Sequence, residues 1–326
     1  MPQEIHYSDV LVDSDDSPTL VVVAYSRHCP AGLYSVAADI VDMLSPVTSL
    51  KVKRAQFAAL AHRNDQVVPL LREAGWTTDS IYTEGAPGLY EFAMAGSAFD
   101  LRSMARLESE MRLHSAVEYG VQIHWKKVRT SWLPACDVNT HHDSEDDHVS
   151  QILLSIPIEA LSREPAAVRC DLVARMFREL FVRFGTIYGF IDICGHGDAA
   201  GGAVHFGDRS ASPVGWSRYC DQILWRRGRQ KGLLNPVRPY WGNFFGRELL
   251  TEIDVADVLR EFSKPTHPAY TEDWGRAEVI EGGNLAIMLS ADPLHVVNTV
   301  RSSVEEVFRS TVPLLADLLP RLKEAT

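Results

Sequence analysis

The chain has 326 residues, of which 46% are hydrophobic and 23% charged, and its formal net charge is −11 at pH 7. These proportions are typical of globular proteins and exclude the disordered and fibrous classes. Affinity for nucleic acid depends on Lys and Arg releasing counterions from phosphate, so the acidic balance disfavours nucleic acid and anionic membranes as partners.

The cysteines and the N-terminus predict a cytoplasmic protein. The five cysteines are an odd number, none lies in a CxxC pair, and no window approaches 18 consecutive apolar residues. We therefore expect free thiols and no membrane span. Residues 1–17 are polar and acidic, and are predicted to form a flexible tail.

The N-terminal half alternates predicted strands and helices. A β-branched run at 19–25 predicts a buried strand, and apolar residues at helical spacing predict a helix at 33–44, ended by Ser45-Pro46. A second helix, with Leu60, Val67 and Leu71 on one side, is predicted to end near Gly75, and a third covers 101–111. Residues 117–125 alternate strictly between apolar and polar, which favours an antiparallel sheet.

The stretch 136–149 is polar and is predicted to be a linker or a long surface loop. It contains three histidines and five acidic residues, which are ligand types for divalent metals. A run without apolar anchors lacks the rigid support that a metal site needs, so we predict no metal here. A role in presenting negative charge to a basic partner is the favoured alternative, through Asp143, Glu145, Asp146 and Asp147.

Beyond this stretch the pattern predicts a strand at 152–158, a helix with an apolar stripe over 168–184 and a strand at 187–193. A late strand is predicted at 285–289 and a final helix at 296–323. The fold class is α+β, with a mainly antiparallel sheet and helices packed on it. We predict one unit over 18–326, with two halves, 18–135 and 150–326, joined by a polar loop at 136–149 as the alternative.

The glycine-rich segment 192–208 follows a strand and contains Cys194, His196 and Asp198. It lacks the GxSxG, GKS/GKT and GxGxxG signatures, so a nucleotide or nucleophile site is not specified. We assign no catalytic residue and no cofactor. A hydrolase or nucleotide-handling enzyme built on this segment is the alternative to a binding protein.

The aromatic segment 239–246, PYWGNFFG, contains Tyr240 and Trp241. Two interpretations are open: aromatic residues in a core, or an exposed recognition patch in which Tyr and Trp anchor a partner. Under the second interpretation both residues bind a partner.

The order of segments over about 151–326 resembles the type VI secretion immunity-protein family, whose members bind and inactivate a co-inherited toxin. The segments are FRELFVRFG, TIYGFIDI, WSRYCDQILW, VRPYWGNFFGRELLTEI, EGGNLAIMLSADP and VPLLADLLP. The matching positions are Gly189, Trp241, Gly246, Gly282, Gly283 and Pro293. The resemblance implies a non-enzymatic protein that occludes a toxin. Its partner would be a protein, and its net charge suits electrostatic steering toward a basic site.

Overall fold

A computed structural model describes residues 18–26, 31–48, 52–62, 66–82, 89–96, 100–113, 118–125, 134–143, 146–195, 241–247, 250, 254–263, 276–288 and 292–294. At many positions within these elements, among them all of 134–143 and 146–149, it describes the backbone alone. The predicted tail at 1–17 and the predicted final helix at 296–323 lie outside these residues.

The described residues group into two compact units. The N-terminal unit comprises 23–155 together with 179–185, and the C-terminal unit comprises 18–22, 156–178 and the residues from 186 onward. The predicted linker at 136–149 lies inside the N-terminal unit.

The first strands in chain order are β1 (Pro18–Ser26), β2 (Val52–His62), β3 (Thr77–Tyr82), β4 (Leu89–Gly96), β5 (Glu118–Trp125), β6 (Pro134–Asp143) and β7 (Asp146–Pro157). Residues 18–22 of β1 and 156–157 of β7 belong to the C-terminal unit, and the other strand residues belong to the N-terminal unit. Antiparallel pairing joins β3 to β4, β4 to β2, β2 to β5, β5 to β6 and β6 to β7. The antiparallel sheet predicted from the alternation at 117–125 is confirmed.

Three helices accompany these strands: α1 (Leu33–Thr48), α2 (Val67–Glu73) and α3 (Asp100–Leu113). The helices predicted at 33–44 and 101–111 are confirmed. α1 runs two residues past Pro46, because a proline in the last turn removes only one backbone donor and does not force the helix to end at that point.

The second predicted helix is wrong over its first half, because Leu60 belongs to β2 and only Val67 and Leu71 lie on α2. Along β2 the alternate residues Ala55, Phe57, Ala59 and Ala61 are buried. Alanine is the best helix former, so a strand face made mostly of alanine carries no strand signal of its own.

The prediction of a loop at 136–149 is also wrong, because β6 and β7 are paired over this stretch. The register runs from Cys136↔Leu154 to Asp143↔Asp146. Polar residues do not mark a strand in the sequence, yet backbone pairing with β5 and β7 satisfies the main chain of β6 on both sides.

The chain continues with α4 (Ile158–Leu161), α5 (Ala166–Arg175), a π-helix (Met176–Leu180), α6 (Phe181–Phe184), β8 (Tyr188–Gly195), β9 (Gly242–Phe245), α7 (Val255–Ser263), β10 (Arg276–Ile280), a 3-10 turn (Glu281–Gly283) and β11 (Asn284–Met288). In the C-terminal unit β8, β9, β11 and β10 pair in that spatial order, and every pairing is antiparallel. The α+β class is confirmed.

Aromatic residues form the core of this unit. Phe177 of the π-helix stacks on Phe244 of β9 with ring centroids 6.5 Å apart, and Tyr188 of β8 lies 5.5 Å from Phe245. Successive residues of a strand point to opposite faces, so Phe244 and Phe245 bury the two faces of β9. The apolar stripe predicted over 168–184 supplies the helical side of these contacts.

Candidate functional site

The end of the β6–β7 hairpin gathers the predicted acidic residues. Asp143 is the last residue of β6, Asp146 is the first of β7, and the register pairs them directly. Asp147 follows on β7, while Glu145 lies in the connection outside the described residues. We call residues 141–148 the acidic hairpin end. Like charges directly opposite each other destabilise a strand pair, so the register predicts a cost in stability at this end.

The register of this hairpin is irregular near its end. His141 pairs with Val149 and Asp143 pairs with Asp146, with a register shift between the two pairs. β6 therefore contributes one residue between the pairs, His142, while β7 contributes two, Asp147 and His148. Two residues opposite one define a β-bulge, a feature that recurs beside functional sites because it re-aims side chains.

Trp241 lies in the core of the C-terminal unit, where its side chain is 1% exposed. It immediately precedes β9, whose four residues are all buried. For Trp241, the structure therefore agrees with the interpretation that the aromatic segment contributes to a core. Contact between Trp241 and a partner stays a prediction, and Tyr240 lies outside the described residues.

Gly246, one of the positions that carry the family resemblance, is required by close backbone packing. A Cβ at this position would lie 2.4 Å from the Thr186 carbonyl oxygen, closer than such atoms approach in proteins. The Gly246 N–H donates to the Ile187 carbonyl oxygen at 2.7 Å, which fixes the contact. Glycine at this position therefore serves the fold.

Gly282 and Gly283 occupy the turn between β10 and β11 with φ angles of 80° and 78°, in the left-handed region that glycine adopts without strain. Asn284 closes the turn by donating from Nδ2 to the Glu281 carbonyl oxygen at 2.8 Å. Its Oδ1 accepts from the Arg247 N–H at 3.0 Å, which ties the turn to the end of β9. These resemblance positions also serve the fold.

The turn that contains Pro293 is anchored by an ion pair. Arg169 of α5 donates from Nε to Asp292 Oδ1 at 3.0 Å and from Nη2 to Oδ2, in a two-pronged geometry. The two side chains are only 14% and 12% exposed. The Leu294 N–H also donates to Asp292 Oδ1, at 3.0 Å. The pKa of Arg169 is raised, chiefly by its hydrogen bond to Asp292. A two-pronged ion pair that is largely shielded from water holds this turn against α5.

Glu108 is a buried carboxylate of the N-terminal unit, 2% exposed. Its Oε1 accepts from the Leu33 N–H at 2.5 Å and its Oε2 accepts from the Tyr34 N–H at 3.0 Å. These are orphan donors at the first turn of α1, and the positive end of the helix dipole favours a carboxylate there. The anion-binding capacity of this helix end is thus used by a side chain of the same unit.

Asp39 of α1 lies beside two arginines. Arg183 Nη1 is 2.6 Å from Asp39 Oδ2, and Arg102 pairs with the neighbouring Asp42 at 2.6 Å. Burial raises the pKa of Asp39 above its ordinary value, and the guanidinium groups of Arg183 and Arg102 offset only part of that rise. The half-buried carboxylate therefore makes stability depend on pH.

The predicted glycine-rich segment is only partly described. Cys194 and Gly195 are the last residues of β8, whereas 196–208, with His196 and Asp198, lie outside the described residues. The enzyme alternative built on 192–208 therefore stays a prediction, and so does the absence of a catalytic residue.

Within the part of the chain that the structure describes, no helix is both long and apolar enough to cross a membrane. No group of three or more His, Cys, Asp or Glu that could hold a metal is found among the described residues. The side chains of the acidic hairpin end are not among those described.

No family model matches the chain, and no curated protein matches it either. A solved structure titled "Pseudomonas aeruginosa T6SS protein PA0821" aligns with a TM-score of 0.45 and 12% sequence identity, over 98% of this chain and 87% of that one. A likeness at this level carries no argument about the fold or the function of this chain.

Proposed function

We propose that the chain is a non-enzymatic binding protein of the bacterial cytoplasm, a type VI secretion immunity protein that occludes a cognate toxin. The resemblance over 151–326 supports the class. The acidic hairpin end supports the mode of binding. The proposal requires no cofactor.

The observation that carries the proposal is the pairing of Asp143 with Asp146. We expect this pairing to cost stability in the isolated chain, because the register places two aspartates opposite each other with Asp147 next in sequence. A basic protein surface docked on this end would relieve the repulsion. Complementary charge also accelerates encounter, which suits an inhibitor that must reach its toxin before damage occurs.

The first test uses the gene beside the one that encodes this chain. Its product is expressed in a bacterial host, alone and together with this chain, and growth is followed. We expect the neighbouring product alone to arrest growth, and co-expression to restore it. We also expect the purified pair to bind with a Kd on the order of nanomolar, as tight specific complexes do. A harmless neighbour, or a toxic one that this chain neither binds nor neutralises, would contradict the proposal.

The second test locates the interface. The variant Asp143→Asn/Glu145→Gln/Asp146→Asn/Asp147→Asn removes four negative charges from the acidic hairpin end. The control Glu73→Gln/Asp171→Asn/Glu179→Gln/Glu281→Gln removes four from exposed positions elsewhere. We expect the first variant to lose protection in the growth assay and the control to retain it. Equal protection by both variants would place the interface elsewhere.

A further inference from the structure

A π-helix interrupts the long helical segment that follows α4. α5 covers Ala166–Arg175, the π-helix covers Met176–Leu180, and α6 covers Phe181–Phe184. In an α-helix each backbone N–H donates to the carbonyl four residues earlier, and in a π-helix it donates to the carbonyl five residues earlier. A π-turn therefore holds one residue more than an α-turn. Such turns are rare, and those that occur inside α-helices are frequent at functional sites.

The local sequence gives no cause for this π-turn. Residues 166–184 contain neither glycine nor proline, the two residues that most often distort a helix. The buried side chains keep the three- and four-residue spacing of an α-helix across the turn, at Leu172, Val173, Met176, Phe177, Leu180, Phe181 and Phe184. The sequence therefore specifies a regular α-helix, and the packing of the folded chain imposes the departure from it.

Contacts on both sides of the π-turn fix the helix. Before the extra residue is accommodated, the Phe177 ring stacks on Phe244 and fills the space beside Gly242, where a Cβ would lie 2.6 Å from Phe177 Cζ. After the turn, Arg183 Nη1 lies 2.6 Å from Asp39 Oδ2 of α1. The helix is thus held before and after the turn, and the extra residue stays in the turn itself.

We infer that Met176–Leu180 contains one residue more than this helix needs, and that the π-turn is the point at which the helix opens. The chain passes from the C-terminal unit to the N-terminal unit within this turn, between residues 178 and 179. Since the π-turn is the less favourable backbone form, its hydrogen bonds break at lower cost than those of α5. The inference does not rest on the proposed function, because local opening is a property of the chain alone.

The first experiment measures native-state hydrogen exchange of the full-length chain, resolved to single amides. We expect the amides of Phe181 and Phe184 to be protected about 10-fold less than those of Leu172 and Val173. Burial alone predicts no such difference, because all four side chains are at most 2% exposed. Equal protection on both sides of the π-turn would overturn the inference.

The second experiment removes the extra residue. Deletion of the exposed Glu179 should convert the π-turn into an α-turn and leave the buried side chains on both sides facing as they do in the parent chain. We expect this variant to fold, with a urea midpoint at or above that of the parent chain. The difference in hydrogen exchange between Val173 and Phe181 should disappear.

The control is deletion of Asp171, an exposed residue of the regular helix α5. This deletion turns the following buried side chains away from the core, so it should lower the urea midpoint or prevent folding. Deletion of Arg178 serves as a second variant within the π-turn, and it also removes an exposed ion pair with Glu278. If both deletions within the π-turn prevent folding, or lower the midpoint as much as deletion of Asp171 does, the inference is wrong.

Discussion

The C-terminal unit and the acidic hairpin end use polar residues in opposite ways. In the C-terminal unit Arg169 meets Asp292 in a nearly dry fork, and Asn284 satisfies both a turn and the end of a strand. At the hairpin end Asp143 stands opposite another aspartate. Natural sequences are locally consistent except where function demands otherwise, so the second region is the stronger candidate for a binding role.

The family resemblance rests on residues that maintain the fold. Its positions fall on a buried tryptophan, on a glycine at a close backbone contact and on turn glycines, all of which maintain the fold. The acidic hairpin end lies just before residue 151, outside the segment that carries the resemblance. The residues that carry the resemblance therefore account for architecture, and binding by the acidic hairpin end stays a proposal.

The largest expected effect comes from breaking the Arg169–Asp292 pair. Arg169→Ala removes the two-pronged partner of the Asp292 carboxylate, whose side chain is 12% exposed. Removing one member of a buried ion pair costs about 3 kcal/mol of unfolding free energy. Urea denaturation of both proteins measures the loss. As a control, Arg178→Ala removes an exposed pair with Glu278 and should cost about 1 kcal/mol or less. Equal losses would show that burial of the pair contributes nothing.

Gly246→Ala should lower the free energy of unfolding by about 2 kcal/mol. The added Cβ would lie 2.4 Å from the Thr186 carbonyl oxygen, which belongs to the backbone and cannot rotate away as a side chain can. Gly283→Ala is the matched variant: nothing lies within 4 Å of its added Cβ, but its φ is 78°. We expect about 1 kcal/mol there, from backbone conformation alone. A smaller loss at Gly246 than at Gly283 would contradict the close contact.

Asp39 should give a pH-dependent effect. Because the pKa of Asp39 is raised on folding, the folded chain holds its proton more tightly than the unfolded chain does. The contribution of Asp39 to the free energy of unfolding is largest below the ordinary aspartate pKa of about 3.9. This contribution is lost as the pH rises through the raised pKa of the folded state. The parent chain should lose stability relative to Asp39→Asn over that window, measured by urea denaturation at several pH values. A relative gain with rising pH would reverse the assignment.

The smallest effect has the opposite sign. Asp143→Asn removes one member of the like-charge pair at the acidic hairpin end, so it should stabilise the chain by roughly 0.2–1 kcal/mol. The control Asp171→Asn, at an exposed helical position, should change stability by less. Thermal unfolding at low salt measures both variants. Destabilisation by Asp143→Asn would show that this carboxylate is satisfied within the chain, as the polar residues of the C-terminal unit are.

Much of the fold follows from the sequence wherever apolar periodicity is strong. The alternation that ends at Trp125 predicts β5, and the stripe that ends at Phe184 predicts the helical segments before Gly185, whose φ of 68° closes them. β2 is not predicted because alanine makes up most of its buried face. β6 is not predicted because most of its residues are polar, and pairing with β5 and β7 satisfies its backbone without an apolar pattern in the sequence. The bulge opposite His142 depends on register between two strands, which a single sequence does not display.

We propose that the acidic hairpin end is the surface that meets the toxin. Its most direct test is the association rate constant between this chain and the toxin identified by the growth assay, measured at low and high salt. Neutralising the four acidic positions should slow association at low salt and flatten its salt dependence, while the control with four exposed neutralisations keeps both. A rate constant and salt dependence equal to those of the parent chain would contradict the claim.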